Sequence, residues 1–231
     1  MTVNIMFHHL PATGGRGVNA WLQKRLGPAC LNLRKMERKD GLVRAGRWEG
    51  QAITGHFASP YVARAAGWED WTAFTLLREP AVRLFSQYRH LCRASPVFIN
   101  SVYRGNIALS FEQWIREPVC QCLPCLVKRR PHGVNPAVKF YASRIGEESL
   151  DAALEVLRQT RVYDLQDTAR MISDMASCLG LDSDRGYKRI DTTGSGEKVS
   201  PEQRALVRRF HPLDYRLFEE APRARPLAKS K

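Results

Sequence analysis

Apolar and polar positions along this chain alternate between two periods. Val3 to Phe7 form a mostly apolar run that stops at a Pro/Gly loop, Pro11 to Gly15, the pattern of a buried strand. Val18, Trp21, Leu22 and Leu26 then recur at i, i+3, i+4 and i+8, one face of a helix that Gly27-Pro28 ends. Short apolar runs at Cys30 to Leu33 and Ala52 to Thr54 predict two more strands, the latter stopping at Gly55-His56. Trp71 to Leu77 is the clearest strand, because Thr72, Phe74 and Thr75 favour β structure. It stops at Arg78-Glu79-Pro80. A helix follows from Pro80, a residue suited to the first helical position, with Val82, Phe85 and Leu91 on its apolar face.

The stretch from Ser95 to Gly133 reads as loop with one helix near Ser110 to Arg116, capped by Ser110. Helices are predicted over Pro136 to Arg144, Glu147 to Gln159 and Asp167 to Leu179, with a late strand at Val162-Tyr163. Asp191 to Lys198 is a Gly/Thr/Ser loop. Ser200-Pro201-Glu202 then opens one last helix to about Glu220. Strands alternating with helices predict an α/β fold with a mainly parallel sheet, in a single domain over 1–221. Residues 222–231 hold Arg223, Arg225, Lys229 and Lys231 among prolines and read as a basic disordered tail.

Composition narrows the functional classes. The 231 residues are 44% apolar, enough for one sizeable core. No run of about 18 apolar residues predicts a membrane span. Met1 to Leu10 lacks a basic leader and a cleavage site, so a soluble, cytoplasmic protein is expected. Lys and Arg total 36 against 23 Asp and Glu, a net charge of +13, which attracts anions. Helix-turn-helix, zinc-finger and aromatic RNA patterns are absent, so nucleic acid is disfavoured against small sulfated or phosphorylated molecules. Cys120, Cys122 and Cys125, with His132 nearby, form one irregular cluster rather than two separated C-x2-C pairs, so no metal is expected.

Two motifs carry chemistry. Phe7-His8-His9-Leu10-Pro11-Ala12-Thr13-Gly14-Gly15 runs from a strand through a glycine turn into a helix start. Such a turn aims several backbone N–H groups, and the positive end of the helix, at one point where an anion fits. It is neither a Walker A loop nor G-x-G-x-x-G. The second motif is Leu77-Arg78-Glu79-Pro80-Ala81-Val82-Arg83-Leu84-Phe85-Ser86-Gln87-Tyr88. A strand delivers Arg78 to the ligand-binding edge of the sheet, and Ser86 lies two turns into the helix. Arg offers a planar fork for a phosphate and Ser a hydroxyl donor.

Together these segments resemble the carbohydrate-type, membrane-family sulfotransferases and their soluble bacterial relatives, which use 3′-phosphoadenosine 5′-phosphosulfate (PAPS). That family carries H-x-P-K-T-G-G after its first strand and L-R-[DE]-P-x-x-R-x-x-S-x-Y after a later one. Weaker echoes follow in order: Thr54-Gly55-His56-Phe57, Asn135 to Tyr141, and Ser200 to Phe218 with Leu213-Asp214-Tyr215. The resemblance implies a sulfotransferase-type three-layer fold with a P-loop-like strand–loop–helix. It implies PAPS as donor and a hydroxyl or amine of a carbohydrate or small molecule as acceptor. Pro11, Ala12, Thr13, Gly14, Gly15 and Arg16 would hold the phosphosulfate, and Arg78 and Ser86 the 3′-phosphate. Arg83 and Tyr88 match the pattern as well and are assigned to helix packing.

One departure matters. Ala12 stands where the family has Lys, whose implied role is to neutralise charge as the sulfuryl group leaves. Arg16 is the candidate replacement. His56 is the candidate base for the acceptor and His9 the second, while His8 is expected to face the other side of its strand. A nucleotide-binding module without turnover is the alternative. Trp48, Trp68 and Trp114, and the basic run Lys128-Arg129-Arg130, are considered for the acceptor side, with core packing the competing role for the tryptophans. Acceptor identity and oligomeric state are left open.

Overall fold

The computed structural model describes residues 4–33, 50–55, 71–93, 103–104, 107–116, 135–142, 149–182, 187 and 198–224. Its strands are β1 (Ile5–His8), β2 (Cys30–Leu33), β3 (Ala52–Gly55), β4 (Thr72–Leu77), β5 (Tyr103–Arg104), β6 (Ile107–Ala108) and β7 (Thr160–Asp164). Five of them form one sheet in the order β2-β3-β1-β4-β7, and every neighbouring pair is parallel. β5 and β6 make a separate antiparallel pair that the sequence reading missed, since two-residue strands are too short to show a period. The helices are α1 (Gly15–Leu26), α2 (Pro80–Arg93), α3 (Phe111–Arg116), α4 (Pro136–Tyr141), α5 (Leu150–Arg158), α6 (Thr168–Cys178), α7 (Pro201–Phe210) and α8 (Pro212–Glu220).

A parallel sheet covered on both faces needs strands that are apolar on both sides, and all four residues of β1 are buried. Alternation then sorts the side chains into layers. Ile5, Phe7, Phe74, Leu76 and Tyr163 pack with Val18, Trp21 and Leu22 of α1 and Met171, Ile172 and Met175 of α6. On the opposite face Leu77 and Val162 pack with Val138 and Tyr141 of α4, Leu154 and Leu157 of α5, and Leu217 of α8. The result is three layers, helices on each side of a parallel sheet. Each large side chain buried this way contributes about 1.5–3 kcal/mol. A third cluster joins α2, α3 and α7 through Leu84, Leu91, Phe111, Trp114 and Val207.

Local chemistry sets the helix starts. Ser149 caps α5 by accepting from the Ala152 N–H at 3.2 Å. Ser110 with Gln113 and Ser200 with Gln203 form reciprocal side-chain caps at α3 and α7.

Two expectations need correction. The single last helix is two, α7 and α8, broken at His211 (φ −131, ψ 55), because Pro212 drives the residue before it out of helical geometry. Trp114 is fully buried in the third cluster, the core-packing role weighed for it. The start of the proposed tail is docked: Ala224 N–H donates to the Val162 carbonyl of β7, and Arg223 pairs with Asp164. No helix among the described residues is long and apolar enough to cross a membrane.

Candidate functional site

β1 and β4 are neighbours, with His8 in register with Thr75. The loop after β1 and the turn after β4 therefore leave the sheet side by side at its C-terminal edge. β1 leads into α1 on one face. β4 leads into α2, which is tied by Arg83 to Asp214 of α8 on the other. That edge, where connections diverge from adjacent strands, is the usual ligand position in open α/β sheets.

The loop is built from close contacts. His9 N–H donates to the Gly55 carbonyl at 2.9 Å, and Thr13 Oγ1 donates to the Leu10 carbonyl at 2.7 Å. Ala12 lies in the left-handed region at φ 64, as does Gly14 at φ 80. Gly14 is the N-cap of α1 and has no side chain to offer, so no side-chain cap takes the N–H groups of the first turn. Gly15 is glycine for another reason. A Cβ there would lie 2.2 Å from Cδ2 of His9, whose ring lies against the glycine.

A chain of hydrogen bonds fixes that ring. Thr54 Oγ1 at the end of β3 donates to Asn19 Oδ1 of α1, and Asn19 Nδ2 lies 3.1 Å from His9 Nδ1. The His9 ring is 5% exposed and stacks on Phe7. On the other side of the sheet, Thr75 Oγ1 donates to the His8 carbonyl at 2.8 Å, and Tyr141 Oη lies 2.6 Å from Thr75 Oγ1. Thr75 has one proton and gives it to His8, so Tyr141 is the donor in that pair. Burial pushes the Tyr141 hydroxyl up, and it stays protonated.

The two motifs meet directly. Arg78 Nη1 donates to the Ala12 carbonyl at 3.2 Å, across 66 positions of sequence. Arg16, in the first turn of α1, is exposed and forms no ion pair among the described residues. Ser86 lies on α2 at 7% exposure. Arg83 is buried and paired with Asp214, and Tyr88 Oη donates to the Leu109 carbonyl, so both have the packing roles assigned to them. His8 is in β1 with its side chain on the Thr75 face, opposite Phe7.

Other groups at the site were not picked out as site residues, although Thr54 and Tyr141 lie in segments that carry the weaker echoes. Asn19, Thr54, Thr75 and Tyr141 sit in four different elements, and only the strand order brings them beneath the loop. His56, Trp48, Trp68, Cys120, Cys122, Cys125, His132 and the run Lys128-Arg129-Arg130 lie outside the described residues. Burial pushes the Cys30 thiol up to about 12, which makes it an inert core residue.

No protein-family model matches this chain, and no curated protein matches it either. Fold and site define a class: a three-layer, parallel α/β protein whose first strand runs through a glycine turn into a helix. Anything narrower rests on the residues.

Proposed function

We propose that this chain binds a 3′-phosphorylated adenine nucleotide at the loop after β1 and acts as a PAPS-dependent sulfotransferase. The observation that carries the reading is the Arg78–Ala12 contact. It joins the glycine loop to the L-R-E-P turn, the two segments whose sequences resemble the two phosphate sites of that family. The residues suit the group: uncapped N–H groups at Gly14, Gly15 and Arg16, two tight glycines, an adjacent guanidinium and a helix hydroxyl at Ser86.

In this reading the first turn of α1 holds the phosphosulfate, and Arg78 with Ser86 holds the 3′-phosphate. When bound, the nucleotide supplies the sulfuryl group. The protein contributes alignment of the acceptor and stabilisation of charge. Arg16 lies at the helix terminus that faces the anion and supplies the positive charge that Ala12 does not. His9 is held by Asn19 and pressed against Gly15, so it orients the loop. His56 is retained as the candidate base for an acceptor hydroxyl or amine on a carbohydrate or small metabolite.

A second reading has one observation in its favour. Ala12 puts a methyl group, not an ammonium, at the left-handed position of the loop. A module that binds the nucleotide without turning it over would look like this.

Titration with adenosine 3′,5′-bisphosphate, followed by calorimetry and thermal unfolding, tests the site. Ligand at about 100 times its Kd adds about 2.7 kcal/mol, which is roughly 5–10 °C for a chain of this size. Loss of that rise in Arg78→Ala would establish the site. Absence of both heat and stabilisation in the wild type would dismiss it.

A further inference from the structure

Three segments with no place in the phosphate chemistry converge on one buried network: Glu79 to Arg83, Asn135 to Val138, and His211 to Tyr215. Asp214 Oδ2 accepts from Arg83 Nη2 at 2.9 Å, with the two side chains 0% and 2% exposed. Asp214 Oδ1 accepts from the N–H groups of Ala137 at 2.9 Å and Val138 at 3.0 Å, which caps α4. Asn135 Oδ1 returns the favour by accepting from Leu213 N–H at 3.1 Å and Asp214 N–H at 3.2 Å, which caps α8. His211 Nδ1 accepts from Asn135 N–H at 3.0 Å. The next residue on α8, Tyr215, donates to Glu79 Oε1, and Glu79 Oε2 accepts from Val82 N–H at 2.9 Å.

The side chains one and five positions beyond Arg78 are thus gripped by two consecutive residues of α8. Arg78 itself is half-buried and reaches the loop with one nitrogen. A long guanidinium side chain is useful for anion recognition only if its backbone is held in place, since its rotamer freedom is otherwise large. Apolar residues of equal volume would pack α2 on α8 at no desolvation cost. The buried charges and the phenol instead impose a direction on the β4–α2 turn.

We propose that Asp214 and Tyr215 are positioning residues for Arg78: the closing helix α8 sets where the guanidinium meets the phosphate at the 3′ position of the nucleotide. This rests on the nucleotide reading above for its ligand, but not for its geometry.

The experiment uses the full chain. Asp214→Asn strips a buried arginine of its counter-charge and puts the fold at risk, so Tyr215→Phe is the primary variant. It removes one hydroxyl and keeps the ring. Calorimetry compares adenosine 3′,5′-bisphosphate with adenosine 5′-monophosphate, below the melting temperature of each protein. In Tyr215→Phe the bisphosphate weakens about tenfold, the scale of one contact to a charged group, while the monophosphate is unchanged within about twofold. In an Arg78→Ala background the same substitution has no further effect on that ratio. In parallel, the Arg78 Nε–H resonance, assigned by its loss in Arg78→Lys, shifts and exchanges with water several-fold faster in Tyr215→Phe.

Equal weakening of both nucleotides with an unmoved Arg78 resonance would mean a purely structural role and would overturn the inference. So would an unchanged ratio. A wild type that does not prefer the bisphosphate removes the nucleotide reading alone. The inference then stands or falls on the Arg78 resonance, which needs no ligand: a shift with faster exchange supports it and an unaltered signal overturns it.

Discussion

Gly14 holds φ 80, a conformation that costs a residue with a Cβ about 1–2 kcal/mol. A Cβ there would also meet Leu165 Cδ1 at 2.6 Å, but that is the tip of a flexible side chain. At Gly15 the obstacle is the His9 ring, which is stacked on Phe7 and tied to Asn19, and so has nowhere to move. Gly15→Ala should destabilise the protein by about 1–3 kcal/mol through overpacking, and His9→Ala in the same chain should remove most of that cost. Urea midpoints of the two single variants and the double measure the coupling. Strict additivity would mean that His9 is not why position 15 is glycine. Ala12 and Arg16 decide between the two functional readings. If Arg16 supplies the charge, Arg16→Ala abolishes sulfuryl transfer, only weakens nucleotide binding, and Ala12→Lys changes little. If the chain is a binding module, Ala12→Lys raises transfer from nothing measurable, by about a hundredfold or more if the ammonium acts as a charge-stabilising donor. Single-turnover transfer from PAPS to a panel of sugar hydroxyls and amines reads out both.

His211 is the joint between α7 and α8 and titrates with consequences for both. It is buried, and its Nε2 has no hydrogen-bond partner among the described residues. Burial first, then the charges of Arg83 and Lys139, push its pKa down to about 3 from an ordinary 6.5. Between those values the unfolded chain takes up a proton that the folded chain refuses. Stability is therefore full above about pH 6.5 and falls as the pH drops towards 3, by up to about 1.4 kcal/mol per pH unit. Asp214, in the same cluster, is pushed upward by burial, against the pull of Arg83 and the Val138 and Ala137 N–H groups. It is present in both proteins compared. His211→Asn keeps an acceptor near the position of Nδ1 and removes the titration, so its stability between pH 4.5 and 6.5 should decline less steeply than the wild type's. Parallel slopes in urea unfolding would refute the assignment. Elements were readable wherever a cap or breaker coincided with the apolar period, as at Pro80, Ser110 and Ser200. The α7–α8 break did have a local signal in Pro212, which drives the residue before it out of helical geometry, and the single-helix reading ran past it. Arg78, Ser86 and the glycine loop could be picked out because each is a local motif. Asn19 could not, and Thr54, Thr75 and Tyr141 stood out only as parts of segments with other roles, because what unites the four is a strand order that no local pattern encodes.

That order, β2-β3-β1-β4-β7, places the two site-bearing strands inside the sheet and leaves β2 and β7 at its edges among the described residues. An open edge strand is a template for pairing with another chain unless something covers it. Here the segment following α8 returns to β7. Ala224 N–H donates to the Val162 carbonyl at 2.8 Å, and Arg170 Nη2 donates to the Ala224 carbonyl. Arg223 is anchored three ways: to Asp164 at 3.0 Å, to the Ala221 carbonyl at 2.7 Å and to the Phe218 carbonyl at 2.8 Å. Asp164 closes β7 in register with Leu77, the residue before Arg78, so the same latch braces the strand beside the site. The ion pair is about one-third exposed and adds little by itself. The carbonyl contacts and the covered edge are the larger share. A chain stopped after Pro222 should lose about 1–2 kcal/mol, roughly 2–6 °C in Tm, and should self-associate with rising concentration through β7. A chain stopped after Ala224 keeps both contacts and should match the full-length protein in Tm and in sedimentation. Identical behaviour of the two truncations would show that Arg223 and Ala224 do not protect the edge. A difference in Tm without a difference in association would assign them to bracing alone.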